Sequence, residues 1–166
     1  MLPEITYRSA VISDDKKYRY TLQRAWKKGK KGSVLFILLN PSTADEEKDD
    51  PTIRRGIGFA YRWGYSRVCF CNLFARRTKD PNVLKRTRKP VGRHNDEWII
   101  NRALISSRIV VAWGANGGHQ NRDSEVLCML EQHRYDFKLY CFGKTMMGYP
   151  KHILYLPNDA KLVRYM

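Results

Sequence analysis

Val34-Leu35-Phe36-Ile37-Leu38-Leu39 runs directly into Asn40-Pro41-Ser42-Thr43-Ala44-Asp45. Six consecutive apolar residues are too few for an isolated helix and predict a strand buried on both faces of a parallel sheet. The apolar run stops abruptly on polar groups. In open α/β sheets, ligands bind just beyond the carboxyl ends of such strands. Asn40, Ser42, Thr43 and Asp45, with Pro41 among them, are therefore candidate site residues. The same residue types also make turns and cap helices.

Other segments repeat the pattern. Tyr18 to Trp26 alternates, with Tyr18, Tyr20, Leu22 and Arg24 on one face and Arg19, Thr21 and Gln23 on the other, and predicts an antiparallel strand. Pro51 to Trp63 predicts a helix, with Asp50 as cap and Pro51 at the first position. Arg67 to Cys71, Ile109 to Trp113 and Phe137 to Phe142 read as further strands, and Ile153 to Leu156 as a short final one. Helices are expected from Asn95 or Asp96 to about Ser106 and from Asp123 to His133. Residues 76–94 read as a basic, Pro-containing loop, and Gly143 to Pro150 as a turn-rich one. Alternating strands and helices predict one α/β domain over residues 1–166, a three-layer α/β/α sandwich on a mostly parallel sheet. Predicted strands end at Asn40-Pro41, Asn72-Leu73, Trp113-Gly114 and Gly143-Lys144, which strengthens a site at the strand ends.

Charge points to a polyanionic partner. There are 31 Lys plus Arg against 16 Asp plus Glu, a net charge of +15. Such an excess favours nucleic acid. The cations cluster at Arg24 to Lys31 and at Arg76 to Arg93. Arg54 and Arg55 fall in the first turn of a predicted helix, unfavourable for cations unless a phosphate docks there. Arg54, Arg55, Arg76, Arg77, Lys144 and Lys151 are the candidate phosphate contacts. No apolar stretch is long enough to span a membrane, and Met1 to Ile5 has no basic block leading an apolar one, so neither a membrane anchor nor a secretory signal is expected. The four cysteines lack Cys-x-x-Cys spacing and read as reduced thiols of a cytoplasmic protein.

Asn40 and Asn72 each carry a donor and an acceptor, which suits a nucleobase edge or a held water. Asp45 is the carboxylate placed best to activate water. His152 can donate to negative charge on a leaving base. Phe74, beside Asn72, offers an aromatic face for stacking, as do Tyr149 and Tyr155 beside His152. The glycines of 114–118 complete neither a Walker loop nor a dinucleotide fingerprint. No metal site and no cofactor is expected.

Leu39 to Asp45, Asp50-Pro51-Thr52, Asn72 to Ala75, Asn95-Asp96, Ala112-Trp113-Gly114 and Gly148 to Leu156 together resemble a bacterial and phage family known as a domain of unknown function, DUF1643. Ile153 stands where that family usually has Pro after the histidine. More distantly, the motif order is similar to the uracil-DNA glycosylase superfamily. That resemblance implies that Asn40-Pro41 positions the attacking water, Asn72 reads the base, Trp113-Gly114 forms a third strand-end motif, and His152 belongs to the late loop. The expected function is nucleic-acid-directed N-glycosidase activity, base excision from DNA, with a flipped base in a strand-end pocket and no cofactor. The alternatives are a non-catalytic module binding nucleic acid or a nucleotide, and an enzyme of phage nucleotide or base modification.

Overall fold

The computed structural model describes residues 1–166. A seven-stranded mixed sheet organises the chain, in the order β1-β2-β4-β3-β5-β6-β7. The strands are β1 (Tyr7–Ile12), β2 (Arg19–Ala25), β3 (Lys31–Leu38), β4 (Tyr65–Asn72), β5 (Arg108–Val111), β6 (Leu139–Cys141) and β7 (Val163–Arg164). The α-helices are α1 (Pro51–Arg62), α2 (Pro81–Arg86), α3 (Asn95–Ile105) and α4 (Arg122–Gln132).

The class is α/β, as expected, but the sheet is not mostly parallel. β4, β3, β5 and β6 pair parallel, whereas β1–β2, β2–β4 and β6–β7 pair antiparallel. Parallel pairing needs a crossover, usually a helix. α1 links β3 to β4 and α4 lies between β5 and β6, but only a short turn separates β1 from β2. The sequence pattern identifies neither β1, which is at most half-buried, nor the exposed β7, nor the six-residue α2 within the basic segment. Ile153 to Leu156 is a turn rather than a strand.

β3 has the two-sided burial that its composition predicts. Val34, Phe36 and Leu38 join an apolar cluster with Ile53, Ile57 and Phe59 of α1. Leu35 and Ile37 join a second cluster with Ile99 and Ala103 of α3 and Val126 and Leu130 of α4. Asp50 caps α1 by accepting the Ile53 N–H at 2.9 Å, with Pro51 following it, as predicted. No helix is long and apolar enough to cross a membrane. All four cysteines are free, and Cys69, Cys71 and Cys141 are buried.

A bulge breaks the alternation on β2. Val11 pairs with Thr21 and Ile12 with Arg19, which leaves Tyr20 as an extra residue. Such a bulge re-aims the side chains around it. Tyr20 packs edge-on against His94, beside the start of α3, at 5.9 Å. Arg19 instead reaches Ala44 on the α1 side, where Leu22 also packs. The simple two-face division of Tyr18 to Trp26 is thus corrected: Arg19 joins the face of Leu22, and Tyr18 and Tyr20, which stack on each other, take the opposite one.

Close packing of α1 on β4 depends on Gly56. A Cβ there would lie 2.4 Å from Cε1 and 2.6 Å from Cζ of Phe70. Gly56→Ala should destabilise the fold. Overpacking costs about 1–3 kcal/mol, more than the ~1 kcal/mol of helix propensity the alanine contributes. Denaturant unfolding checks this, and a variant as stable as wild type would contradict it.

Candidate functional site

The ends of β3 and β4, the amino end of α1 and the 152–154 loop enclose a cavity of about 380 Å³. Asn40, Asn72 and His152 all line it, together with Pro41, Ser42, Asp50 and Arg19. Residues far apart in sequence thus share one polar recess, of a size typical of small-molecule pockets, roughly 300–1,000 Å³.

Asn72 ends β4 and is 1% exposed, yet neither its Oδ1 nor its Nδ2 has a hydrogen-bond partner. Each unsatisfied buried polar atom costs about 1–3 kcal/mol. The backbone around it is fully served. Asn95 Nδ2 donates to the Asn72 carbonyl at 2.8 Å and to the Leu73 carbonyl at 3.1 Å. Arg122 Nε donates to the Leu73 carbonyl at 2.9 Å, and its guanidinium also pairs with Asp96 and Glu125. A buried amide and a buried guanidinium therefore hold the strand end, and the Asn72 side chain is left free.

Asn40 is differently engaged. Its Nδ2 donates to the Thr78 carbonyl at 2.9 Å and the Pro41 carbonyl at 3.1 Å. These bonds tie the β3 end to the segment after β4, which runs beside it through the Leu73 N–H to the Leu38 carbonyl and the Thr78 N–H to the Pro41 carbonyl. Asn40 Oδ1 accepts no protein hydrogen bond. It is the half of the amide available to a ligand or water.

His152 Nδ1 accepts the Leu154 N–H at 3.2 Å. A ring nitrogen that accepts cannot carry the proton, so the neutral ring is assigned its proton on Nε2. Burial pushes the imidazole below its ordinary pKa of 6.5, against the opposing pull of the Asp50 carboxylate. The loop is seated by the Gly114 N–H donating to the Pro150 carbonyl at 2.9 Å. His152 is thus a neutral donor.

Asp50 is the acidic residue of the cavity. Its Oδ1 caps α1, and its Oδ2 accepts the Ser42 hydroxyl at 2.9 Å. Asp45, the carboxylate favoured by sequence, lies outside. Its Oδ1 closes a turn by accepting the N–H groups of Glu47 (2.9 Å) and Lys48 (2.8 Å), which hold its pKa below the usual carboxylate value. It faces a separate recess with Lys16 and Arg77.

The aromatic candidates are also elsewhere. Phe74 and Trp113 belong to the buried cluster under α3 and α4, with Phe74 against His119 at 5.5 Å and Trp113 against Tyr165 at 6.2 Å. Gly114 supports the His152 loop rather than lining the cavity. Tyr155 is 93% exposed. Of the candidate phosphate contacts, none lines the cavity. Arg55 clamps the carbonyls of Ile153 and Leu156 and the side chain of Asn158. Arg54 donates to the Asp49 carbonyl at 2.9 Å, and Arg77 to the Lys16 carbonyl at 3.2 Å. Arg76 stacks over Tyr18 and Lys144 over Tyr165, while Lys151 is exposed.

Arg19 and Lys79 are the cavity's cationic side chains; Lys79 belongs to the basic cluster expected to meet phosphates, whereas the sequence reading assigns Arg19 no role in a site. Arg19 is 2% exposed and forms no ion pair within 4.0 Å. Burial lowers its pKa to about 10, partly offset by Asp50, so it stays charged at neutral pH. The one available signal was a guanidinium between two tyrosines in a strand-like stretch. The bulge that turns it inward leaves no mark in the residue pattern.

Residues 19–154 match the family described as Protein of unknown function (DUF1643). The chain belongs to the DUF1643 family. The matched span begins at Arg19 and ends at Leu154, and both line the cavity; β1 and β7 lie outside it. The DUF1643 span therefore contains the whole recess. No curated protein and no solved structure matches the chain.

The lowered pKa of His152 has a sign that can be measured. The unfolded chain takes up a proton as pH falls below about 6.5, while the folded ring still resists it. Stability is therefore unaffected by His152 above that pH and declines below it, until the folded ring itself titrates. His152→Gln should flatten this part of the stability profile in denaturant melts. A His152 ring titrating above 6.5 by NMR would contradict the assignment.

Proposed function

We propose that the cavity holds a nucleobase and that the protein is a nucleic-acid-directed N-glycosidase, with DNA as the leading substrate. The observation that carries this reading is the buried Asn72 amide, whose donor and acceptor both lack partners at the cavity wall. A base edge that sets a donor beside an acceptor satisfies both at once. Reaching such a recess requires the base to leave the duplex stack. The two apolar clusters around β3 support a three-layer α/β/α architecture, as the resemblance to the uracil-DNA glycosylase superfamily implies.

In this mechanism the bond from sugar C1′ to the base nitrogen breaks and its electron pair leaves with the base. His152 Nε2–H donates to the negative charge developing there. The oxocarbenium-like sugar is captured by a water held at Asn40 Oδ1. An amide is a poor base, so the water's proton passes to Asp50 or to solvent. Asp50 thus takes the part that sequence had given to Asp45. The net charge of +15 favours a phosphate backbone around the mouth. Lys79 lines the cavity, and the exposed Arg54 and Lys151, next in sequence to the lining residues Ile53 and His152, are the proposed phosphate contacts beside it. The chemistry calls for no cofactor. Free, mostly buried thiols favour a reducing, cytoplasmic setting.

One observation favours a second reading. Both Asp50 oxygens are already engaged, and Asn40 commits its Nδ2 to backbone carbonyls. A site so occupied suits binding without cleavage, or an enzyme acting on a free nucleotide.

Base release from duplexes carrying a panel of modified bases decides between them. The glycosidase reading expects release by the wild type, with Asn72→Ala and His152→Ala each lowering it by about 10²–10⁴-fold while remaining folded. Folded variants with undiminished release would remove these roles. Salt-dependent binding with no release from any duplex would leave the binding module standing.

A further inference from the structure

Two arginines of β2 are buried, and they are treated oppositely. Arg24 is 0% exposed and pairs with Asp49 at 2.9 Å. It also donates to the carbonyls of Asp45 and Lys48. Arg19 is equally buried but has a single hydrogen bond, from Nη1 to the Ala44 carbonyl at 3.0 Å. Its Nε is buried without a partner, and its Nη2 donates to no protein group. A buried cation without an ion-pair contact costs several kcal/mol, and the Asp50 carboxylate of the same cavity, itself engaged by Ser42 and the Ile53 N–H, offsets this only in part. The fold accepts that cost at the wall of a cavity, through a bulge that turns this side chain inward.

Two further features face the same space. The amino end of α1, through Pro51, Thr52 and Ile53, lines the cavity. That end of a helix carries partial positive charge, and the Thr52 N–H has no acceptor within the helix. Asn72 adds a buried Nδ2 with no partner; it carries two protons, so one can serve a base edge and the other an anion. Donors thus approach from β2, β4 and α1. A planar carboxylate can meet a guanidinium, but a tetrahedral group with several terminal oxygens can use all three directions.

We propose that this cavity is an anion site, in which the ligand places a phosphate against Arg19, Asn72 and the amino end of α1. The proposal rests on the nucleobase reading above and specifies the substrate as a nucleotide rather than a bare base or nucleoside. The phosphate can belong to a free nucleotide or to the nucleotide of a strand.

The test is binding by calorimetry of the common deoxynucleosides, their 5′-monophosphates and inorganic phosphate to the full chain. A monophosphate should bind at least about tenfold more tightly than its nucleoside. Arg19→Gln, which keeps a donor for the Ala44 carbonyl, should abolish that advantage and leave nucleoside binding in place. Equal affinity of nucleoside and monophosphate for the wild type overturns the anion site while sparing the nucleobase reading. An advantage that survives in Arg19→Gln overturns it too. Inorganic phosphate that binds through Arg19 while nucleosides do not supports the anion site and ends the nucleobase reading. If Arg19→Gln fails to fold, the wild-type comparison still decides. Competition by a short oligonucleotide without terminal phosphates supports a strand as the source, and its absence supports a free nucleotide; both require the Arg19 site.

Discussion

The Arg24–Asp49 pair holds the segment on which the site is built. Residues 41–50 have no regular structure, and a loop of that length needs partners for its carbonyls. Arg24 supplies them from inside the sheet, at Asp45 and Lys48, and ties Asp49 by charge. Arg19 holds Ala44 from the same strand. With the loop so anchored, Asp50 is set to cap α1, and Ser42 is set to bond Asp50. A buried pair of this kind is costly to break, because the surviving charge is left uncompensated.

Several buried polar side chains serve backbone carbonyls, while others, such as Asn95 Oδ1 and Trp113 Nε1, leave an atom unpartnered away from the cavity. Asn95 and Arg122 serve the carbonyls of Asn72 and Leu73. Lys138 Nζ, also buried, donates to the carbonyls of Ala103 and Ser106 at 2.6 and 2.7 Å. Of the residues with unpartnered buried polar atoms, Asn72 and Arg19 are the two that stand on this cavity, both with donors unused. Unsatisfied groups gathered on a concave surface are where a ligand returns the lost interactions. Such sites conflict with stability, and the surrounding network keeps them in place.

Much of the fold was legible in advance. The uninterrupted run 34–39 announced a strand buried on both faces, and Asp50-Pro51 announced the start of a helix, because both signals are local. Asn40, Asn72 and His152 were legible as strand-end and loop polar residues that meet on one recess. Asp45, Phe74 and Trp113 were misplaced for one common reason. A residue type states what a side chain can do, not which way the backbone turns it. Asp45 is consumed by its own turn, and the two aromatics, just beyond the ends of β4 and β5, fall in the buried cluster under α3 and α4.

The chain by itself determined the α/β class, the order of most elements, the basic balance and the set of polar residues at the strand ends. These follow from apolar periodicity, capping residues and composition, which act over a few neighbours. Only the tertiary structure decided that Arg19 rather than Arg54 or Arg55 faces the cavity, and that Asp50 rather than Asp45 is its carboxylate. A one-residue bulge reverses which face a side chain takes, and carbonyl acceptors brought close from distant segments determine which cations are already spent. Both effects arise from long-range pairing, which no local pattern encodes.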